Sequence, residues 1–165
     1  MPAFTIRTYR PEDLPRICAI TIEGFDGVSI DRNIETQFGP VGGRDWAARK
    51  AKSIEFDCSM QPDGIFVAEA DGIVVGYITT YLDEYARIGR IPNLAVAATH
   101  REHGIATALI RHSVDWMRDR GMAMAKIETL EQNTRGQSLY PKLGFVEVAR
   151  QIHYVMPLSR QERGA

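Results

Sequence analysis

Cysteine is scarce in this 165-residue chain, with only Cys18 and Cys58 and no CxxC pair. A disulfide framework and a cysteine-based zinc ribbon are therefore excluded, and a reduced, cytoplasmic setting is expected. An excess of one charge is lacking too: 20 Lys and Arg stand against 21 Asp and Glu, a formal net charge of −1. Such balance leaves no electrostatic footprint for duplex nucleic acid or an anionic membrane, so neither is expected as a partner. No run approaches the roughly 18 apolar residues of a membrane span. The opening MPAFTIRTYR has no apolar core of the kind a leader needs, so secretion is not expected. Neither GxGxxG nor GxxxxGK[ST] occurs, so the dinucleotide fold and the P-loop lack their central evidence. No repeat or Gly/Ser-rich linker divides the chain. At 44% hydrophobic and 25% charged residues, it can bury a core without staples, and residues 1–165 are expected to form a single domain.

Apolar alternation places a first strand over Phe4 to Tyr9. Leu14, Ile17, Cys18, Thr21, Ile22 and Phe25 then recur at helical spacing, with Pro11 and Pro15 near enough to the helix start to be tolerated. A glycine-framed irregular stretch follows, ending in a helix from about Arg44 to Phe56. Ile65 to Ala70 and Ile73 to Tyr81 are strands joined by Asp71-Gly72, a strong hairpin signal. A third strand, Ile88 to Val96, contains Pro92, which cannot donate to a ladder and marks an edge or a disrupted strand. Ile105, Leu109, Ile110, Val114 and Met117 form one helical stripe that Gly121 stops. Ala125 to Leu130 reads as a strand, Thr134 to Leu143 as a short helix ending at Gly144, and Phe145 to Ala149 and His153 to Pro157 as two last strands. The fold class is α/β, with a largely antiparallel start and one parallel crossover.

Chemistry concentrates where a strand passes through a short loop into the long helix: Leu94-Ala95-Val96, then Arg101, then Gly104-Ile105-Ala106-Thr107. The first four amides of a helix lack intrahelical acceptors, and the helix dipole makes that end partly positive. A phosphate delivered there needs small residues in the approach, which Gly104 and Ala106 supply, and Arg101 can add charge. The plain alternative is a glycine at a turn before an amphipathic helix. A second segment sets Asn133 ahead of Leu139-Tyr140-Pro141-Lys142-Leu143-Gly144-Phe145. The histidines of His100-Arg101-Glu102-His103 come without the three or four convergent ligands that zinc requires.

Taken in order, the strand (Leu94, Val96), the turn (Arg101, Gly104, Ala106) and the Asn133 to Phe145 segment resemble the GCN5-related N-acetyltransferase (GNAT) family, most strongly over residues 64–157. The resemblance implies a mixed, mostly antiparallel central sheet with helices on both faces and a splayed central strand pair. It implies acetyl-CoA as cosubstrate and no metal. Leu94, Ala95 and Val96 would meet pantetheine, Arg101 with His103, Gly104, Ile105, Ala106 and Thr107 would cradle the pyrophosphate, and Asn133 would bond the cofactor arm. Tyr140 stands where the family's general acid stands; the alternative is a core aromatic with a tethered hydroxyl. Glu128 precedes Asn133 by the spacing of a proposed base in related N-terminal alanine acetyltransferases, with Glu131 and a water chain as competitors. Position 90, glutamate in some relatives, is Arg90. Many relatives have glycine where this chain has Glu102, and that carboxylate is expected to point to solvent.

The acceptor is less legible. Gly24 to Gly64 is the family's variable region, and its acids Asp26, Asp31, Glu35, Glu55 and Asp57 read mostly as surface groups, with Trp46 and Phe56 as core. The leading reading is an N-acetyltransferase that transfers the acetyl group directly to a primary amine of a small molecule. A protein N-terminal or lysine acetyltransferase, and a non-catalytic coenzyme A-binding module, remain as alternatives, and a homodimer stays open.

Overall fold

The computed structural model describes residues 3–158. Five strands lie side by side in chain order: β1 (Thr5–Thr8), β2 (Ile65–Ala70), β3 (Ile73–Asp83), β4 (Ile88–Val96) and β5 (Met124–Ile127). Neighbours from β1 to β4 are antiparallel, and β4 and β5 are parallel. A parallel pair needs a long crossover, and the stripe seen in the sequence provides it as α4 (Ile105–Asp119). Before β2 come α1 (Leu14–Phe25), α2 (Ile30–Phe38) and α3 (Trp46–Met60); α5 (Thr134–Leu139) follows β5. The Asp71-Gly72 hairpin is present, with both residues at positive φ.

Both sheet faces are covered, and the apolar residues sort accordingly. Ile17 and Ile20 of α1 and Ile54 and Cys58 of α3 pack on Ile65, Val67, Tyr77 and Ala95. On the other face Ile105, Leu109, Ile110 and Met117 of α4 meet Phe66, Ala68, Val75, Ile78 and Ile91. This explains why β2 opens Ile-Phe-Val-Ala without alternation, since a strand covered twice has no polar side. Burying each large aliphatic side chain contributes about 1.5–3 kcal/mol. Gly89 lets α4 come close, because a Cβ there would sit 2.3 Å from Met117 Sδ.

Several expectations are corrected. The glycine-framed stretch holds a helix, α2, whose start is capped by Ser29 accepting from Arg32 N at 3.1 Å. The helix placed at Arg44 to Phe56 begins later and runs longer, because Asp45 is its cap and accepts from Ala48 N at 2.7 Å. Trp46 is buried as expected, but Phe56 is 62% exposed. β5 ends at Ile127 instead of Leu130, where its partner β4 leaves it. Phe145 to Ala149 and His153 to Pro157 are not strands: they alternate suitably, yet no strand pairs with them among the described residues. An alternating pattern makes a strand only when a ladder partner is present. No helix among the described residues is long and apolar enough to cross a membrane.

The first strand is tied down by charge. Arg7 makes a two-pronged bond to Asp13 at 2.8 and 2.9 Å and donates through Nε to Glu69 on β2 at 2.8 Å. The Arg7 hydrogen bonds hold the buried Asp13 carboxyl below the usual carboxylate range, despite the opposing effect of burial. A depressed carboxyl pKa stabilises the fold above the unfolded value of about 4, and this stabilisation is lost as the pH falls through the lower folded value. Arg7→Met should therefore destabilise the protein at pH 7 by about 3 kcal/mol, since it strands a buried charge. Thermal unfolding across pH should show the gap to the parent closing below about pH 4; equal stabilities at pH 7 would contradict this.

Candidate active site

The site begins with one surplus residue. Thr79 pairs with Asn93 and Tyr81 with Arg90, so β4 holds one residue more than β3 between those pairs. This is a β-bulge, and its effect is visible in the side chains. Ile91 faces α4, whereas Asn93, two positions on, faces α3. Pro92 lies between them, exposed and without an N–H to offer. β4 pairs with β5 from Ile88↔Met124 to Ile91↔Ile127 and no further. Beyond that point the two strands separate, and the outer edge of Leu94 to Val96 has no strand beside it. The Val96 carbonyl turns outward and accepts from Arg101 Nε at 3.1 Å. By the strand period of two, the Leu94 backbone points the same way. Ala95 instead pairs with Tyr77 and packs its side chain under α1, where Gly24 leaves just enough room.

The turn after β4 delivers the chain into α4. Gly104 caps the helix at φ +78°, ψ 1°, left-handed backbone that glycine adopts freely. Glu102 also has positive φ, +67°, so the departure from glycine noted in the sequence costs backbone strain. Its side chain is exposed, as expected. Among the described residues nothing accepts from the amides of Gly104, Ile105, Ala106 or Thr107. His103 beside them has a buried Nδ1 with no hydrogen-bond partner. Four free amides, a positive helix end and an orphaned ring nitrogen together fit an anionic diphosphate. A Cβ on Gly104 would meet nothing within 4 Å, so the approach is open.

In the segment that follows β5 a second cluster forms around Gly136. Asn133 caps α5 by accepting from Gly136 N at 3.2 Å, and its Nδ2 donates to Thr129 Oγ1 at 2.8 Å. A Cβ on Gly136 would approach Asn133 Nδ2 and Thr129 Oγ1 at 3.0 Å each and the Tyr140 ring at 3.1 Å. Tyr140 meets Phe145 edge-to-face at 6.2 Å. Burial raises the Tyr140 phenol pKa. A phenol so held stays protonated at neutral pH, as a proton donor must.

The carboxylates are placed differently from one another. Glu128 lies just past β5, 66% exposed, and pairs with Lys126. Lys126 is in register with Arg90, which reaches Asp83 at 3.6 Å. Glu131 is held by Arg150 at 2.8 Å. Glu128 therefore lies just past the point where β5 leaves β4, as an exposed carboxylate paired with Lys126, and Arg90 supplies no base. Burial pushes the Cys58 thiol up to about 12 and also raises Cys18, so neither offers a thiolate nucleophile. No cluster of His, Cys, Asp and Glu that could hold a metal occurs among the described residues.

The model of the acetyltransferase (GNAT) family matches residues 32–145. The chain belongs to this family. It is 35% identical over 100 residues to an N-alpha-acetyltransferase from Sulfurisphaera tokodaii, covering 54% of this chain and 60% of the relative. It is 28% identical over 183 residues to a mycothiol acetyltransferase from Parafrankia sp., covering 94% of this chain and 56% of that one. The chain thus spans a little over half the length of these curated relatives. Among solved structures, Ard1 from Thermoplasma volcanium superposes with a TM-score of 0.66 at 24% identity, covering 89% of this chain and 85% of that one.

Sequence reasoning missed one polar cluster beside this candidate site. Lys50 Nζ donates to Asn93 Oδ1 at 2.9 Å, and Asn93 Nδ2 donates to Asp57 Oδ2 at 2.7 Å and Thr79 Oγ1 at 3.0 Å. Lys50 also lies 4.4 Å from the centre of the Phe25 ring. Burial lowers the Lys50 pKa and raises that of Asp57. Asp57 is thus half-buried behind the bulge and not a surface acid. The spacing of Lys50 and Asp57, two helical turns apart, was the available signal.

Gly104→Ala tests the turn. Left-handed alanine costs about 1–2 kcal/mol, which a folded protein of this size tolerates, and its methyl group enters the open approach. Coenzyme A affinity measured by calorimetry should fall at least about tenfold, equivalent to about 1.4 kcal/mol. Unchanged affinity in the folded variant would place the diphosphate elsewhere.

Proposed function

We propose that the protein is an acetyl-CoA-dependent N-acetyltransferase whose acceptor is the α-amine at a polypeptide N-terminus. The observation that carries acetyl transfer is the bulge-opened gap between β4 and β5, with the free amides of α4 following β4 in the chain and Tyr140 on the segment that follows β5. Leu94 and Val96 offer the cofactor arm an unpaired strand edge, while residues 103–107 and Arg101 receive its diphosphate. Acetyl-CoA supplies the thioester. The amine must be neutral to attack, and Glu128, exposed just past β5, takes its proton directly or through water. A carbon–nitrogen bond forms as the carbon–sulfur bond breaks, and the Tyr140 phenol gives the departing sulfur a proton. No acyl-enzyme is needed, in keeping with the inert thiols.

The choice of acceptor revises the preference for a small molecule. Support comes from the similarity to an N-alpha-acetyltransferase at 35% identity and from the solvent-exposed position of Glu128, which a long acceptor can reach. The likeness to a mycothiol acetyltransferase across 94% of the chain favours a second reading, a small-molecule amine.

Thiol release with acetyl-CoA, measured on peptides with free or blocked N-termini and on amino sugars, separates the two. Turnover should require a free peptide α-amine; turnover on amino sugars alone would contradict the proposal. Tyr140→Phe should lower kcat about tenfold or more and leave coenzyme A affinity unchanged.

A further inference from the structure

Asn93 is held on three sides at the place where β4 bulges, and the direction of each bond is fixed. The Lys50 ammonium can only donate, so it faces the Asn93 oxygen, at 2.9 Å. The Asn93 nitrogen faces the other way and gives both its hydrogens, one to Asp57 Oδ2 at 2.7 Å and one to Thr79 Oγ1 at 3.0 Å. Thr79 is also the cross-strand partner of Asn93, in the last regular pair before the register shifts. Lys50 and Asp57 share one face of α3, and Lys50 rests against the Phe25 ring at the end of α1. One amide thus ties β4 to β3, to α3 and, through Lys50, to α1. Asn93 and Thr79 are both buried, so a partner removed from either leaves a polar group bare.

We infer that Lys50, Asp57 and Thr79 are positioning residues for the cofactor: by engaging Asn93 they hold β4 in its bulged register, and so keep the outer edge of Leu94 to Val96 clear of β5 for the amide-bearing arm of acetyl-CoA. This inference rests on the reading of that edge as the one that receives the arm. Without the surplus residue, strict alternation would turn Asn93 to the side of Ile91, into the apolar cluster beneath α4. The cluster behind β4 therefore favours the bulged register by satisfying Asn93 where the bulge puts it. Each of the two charges also offsets the cost of burying the other. The free amides of α4 lie beyond Val96 and are presented by the turn at Gly104. Lys50, Asp57 and Thr79 accordingly govern the strand edge and not the diphosphate end of the site.

Calorimetry with two ligands tests this: whole coenzyme A, and its phosphoadenosine diphosphate half, which keeps the diphosphate and lacks the arm. Lys50→Met and Asp57→Leu should each weaken coenzyme A binding about tenfold or more. Their affinity for the nucleotide half should stay within about twofold of the parent's, because the turn at Gly104 is untouched. Asp57→Asn, which keeps an acceptor for the Asn93 nitrogen, should bind coenzyme A within about threefold of the parent. Thr79→Val removes one neutral bond and should cost about threefold to fivefold; it carries the test if the α3 variants do not fold. Equal losses for both ligands, no loss in any folded variant, or an Asp57→Asn as impaired as Asp57→Leu would overturn the inference and leave the cofactor site as described. If the parent itself binds coenzyme A no more tightly than the nucleotide half, the arm does not lie along the strand edge, and that reading fails with the inference.

Discussion

The extra residue in β4 is the constraint on which the rest of the molecule depends. A strand whose side chains alternate strictly would carry Asn93 on the same face as Ile91 and continue its ladder with β5. The bulge reverses the facing, and Pro92 removes a donor at the same place. Four pairings with β5 are made and then none. Ladder bonds left unmade cost about 0.5–1.5 kcal/mol each in net terms, a cost softened where the groups stay in contact with water. The missing bonds leave backbone groups of Leu94 and Val96 facing a gap that a linear amide-bearing chain can enter. Since β4 also leads directly into the turn before α4, the gap and the free amides of α4 are held in fixed relation by one short segment.

Little formal charge stands beside the amides proposed to receive the diphosphate. Arg101 is the near cation, and its Nε is already tied to the Val96 carbonyl. In the proposed function the attraction comes from oriented N–H groups at the head of a fifteen-residue helix, which need no reorganisation when a ligand arrives. Glu102 works against it in sign but is turned to solvent, where screening weakens it. On the opposite side of β4, Lys50, Asn93 and Asp57 satisfy one another behind the bulge. A polar residue forced into the interior by the reversed facing is thereby given partners, as burial requires.

The sequence made the long helix, the hairpin and the glycine turn at the head of α4 legible because each is written locally: a stripe at helical spacing, Asp71-Gly72, and small residues at a helix head. What it hid depends on partners. α2 lies in a glycine-rich stretch, and only the Ser29 cap announced it. The segment after Gly144 has the alternation of strands, but alternation describes which side chains share a face and not whether a neighbouring backbone exists. Pro92 was legible as a disruption, whereas its consequence was not: placing Asn93 against Lys50 and Asp57 requires the register with β3. Thr129 carries no motif, and its place beside Asn133 arises from the fold of residues 129–140 around Gly136.

A crystal structure with coenzyme A bound tests the central claim most directly. The diphosphate should rest on the amides of residues 104–107, and the amide-bearing arm should run along the outer edge of Leu94 to Val96, with β4 and β5 still parted beyond Ile91. A diphosphate bound elsewhere, or β4 and β5 paired along their whole length beside it, would contradict the account.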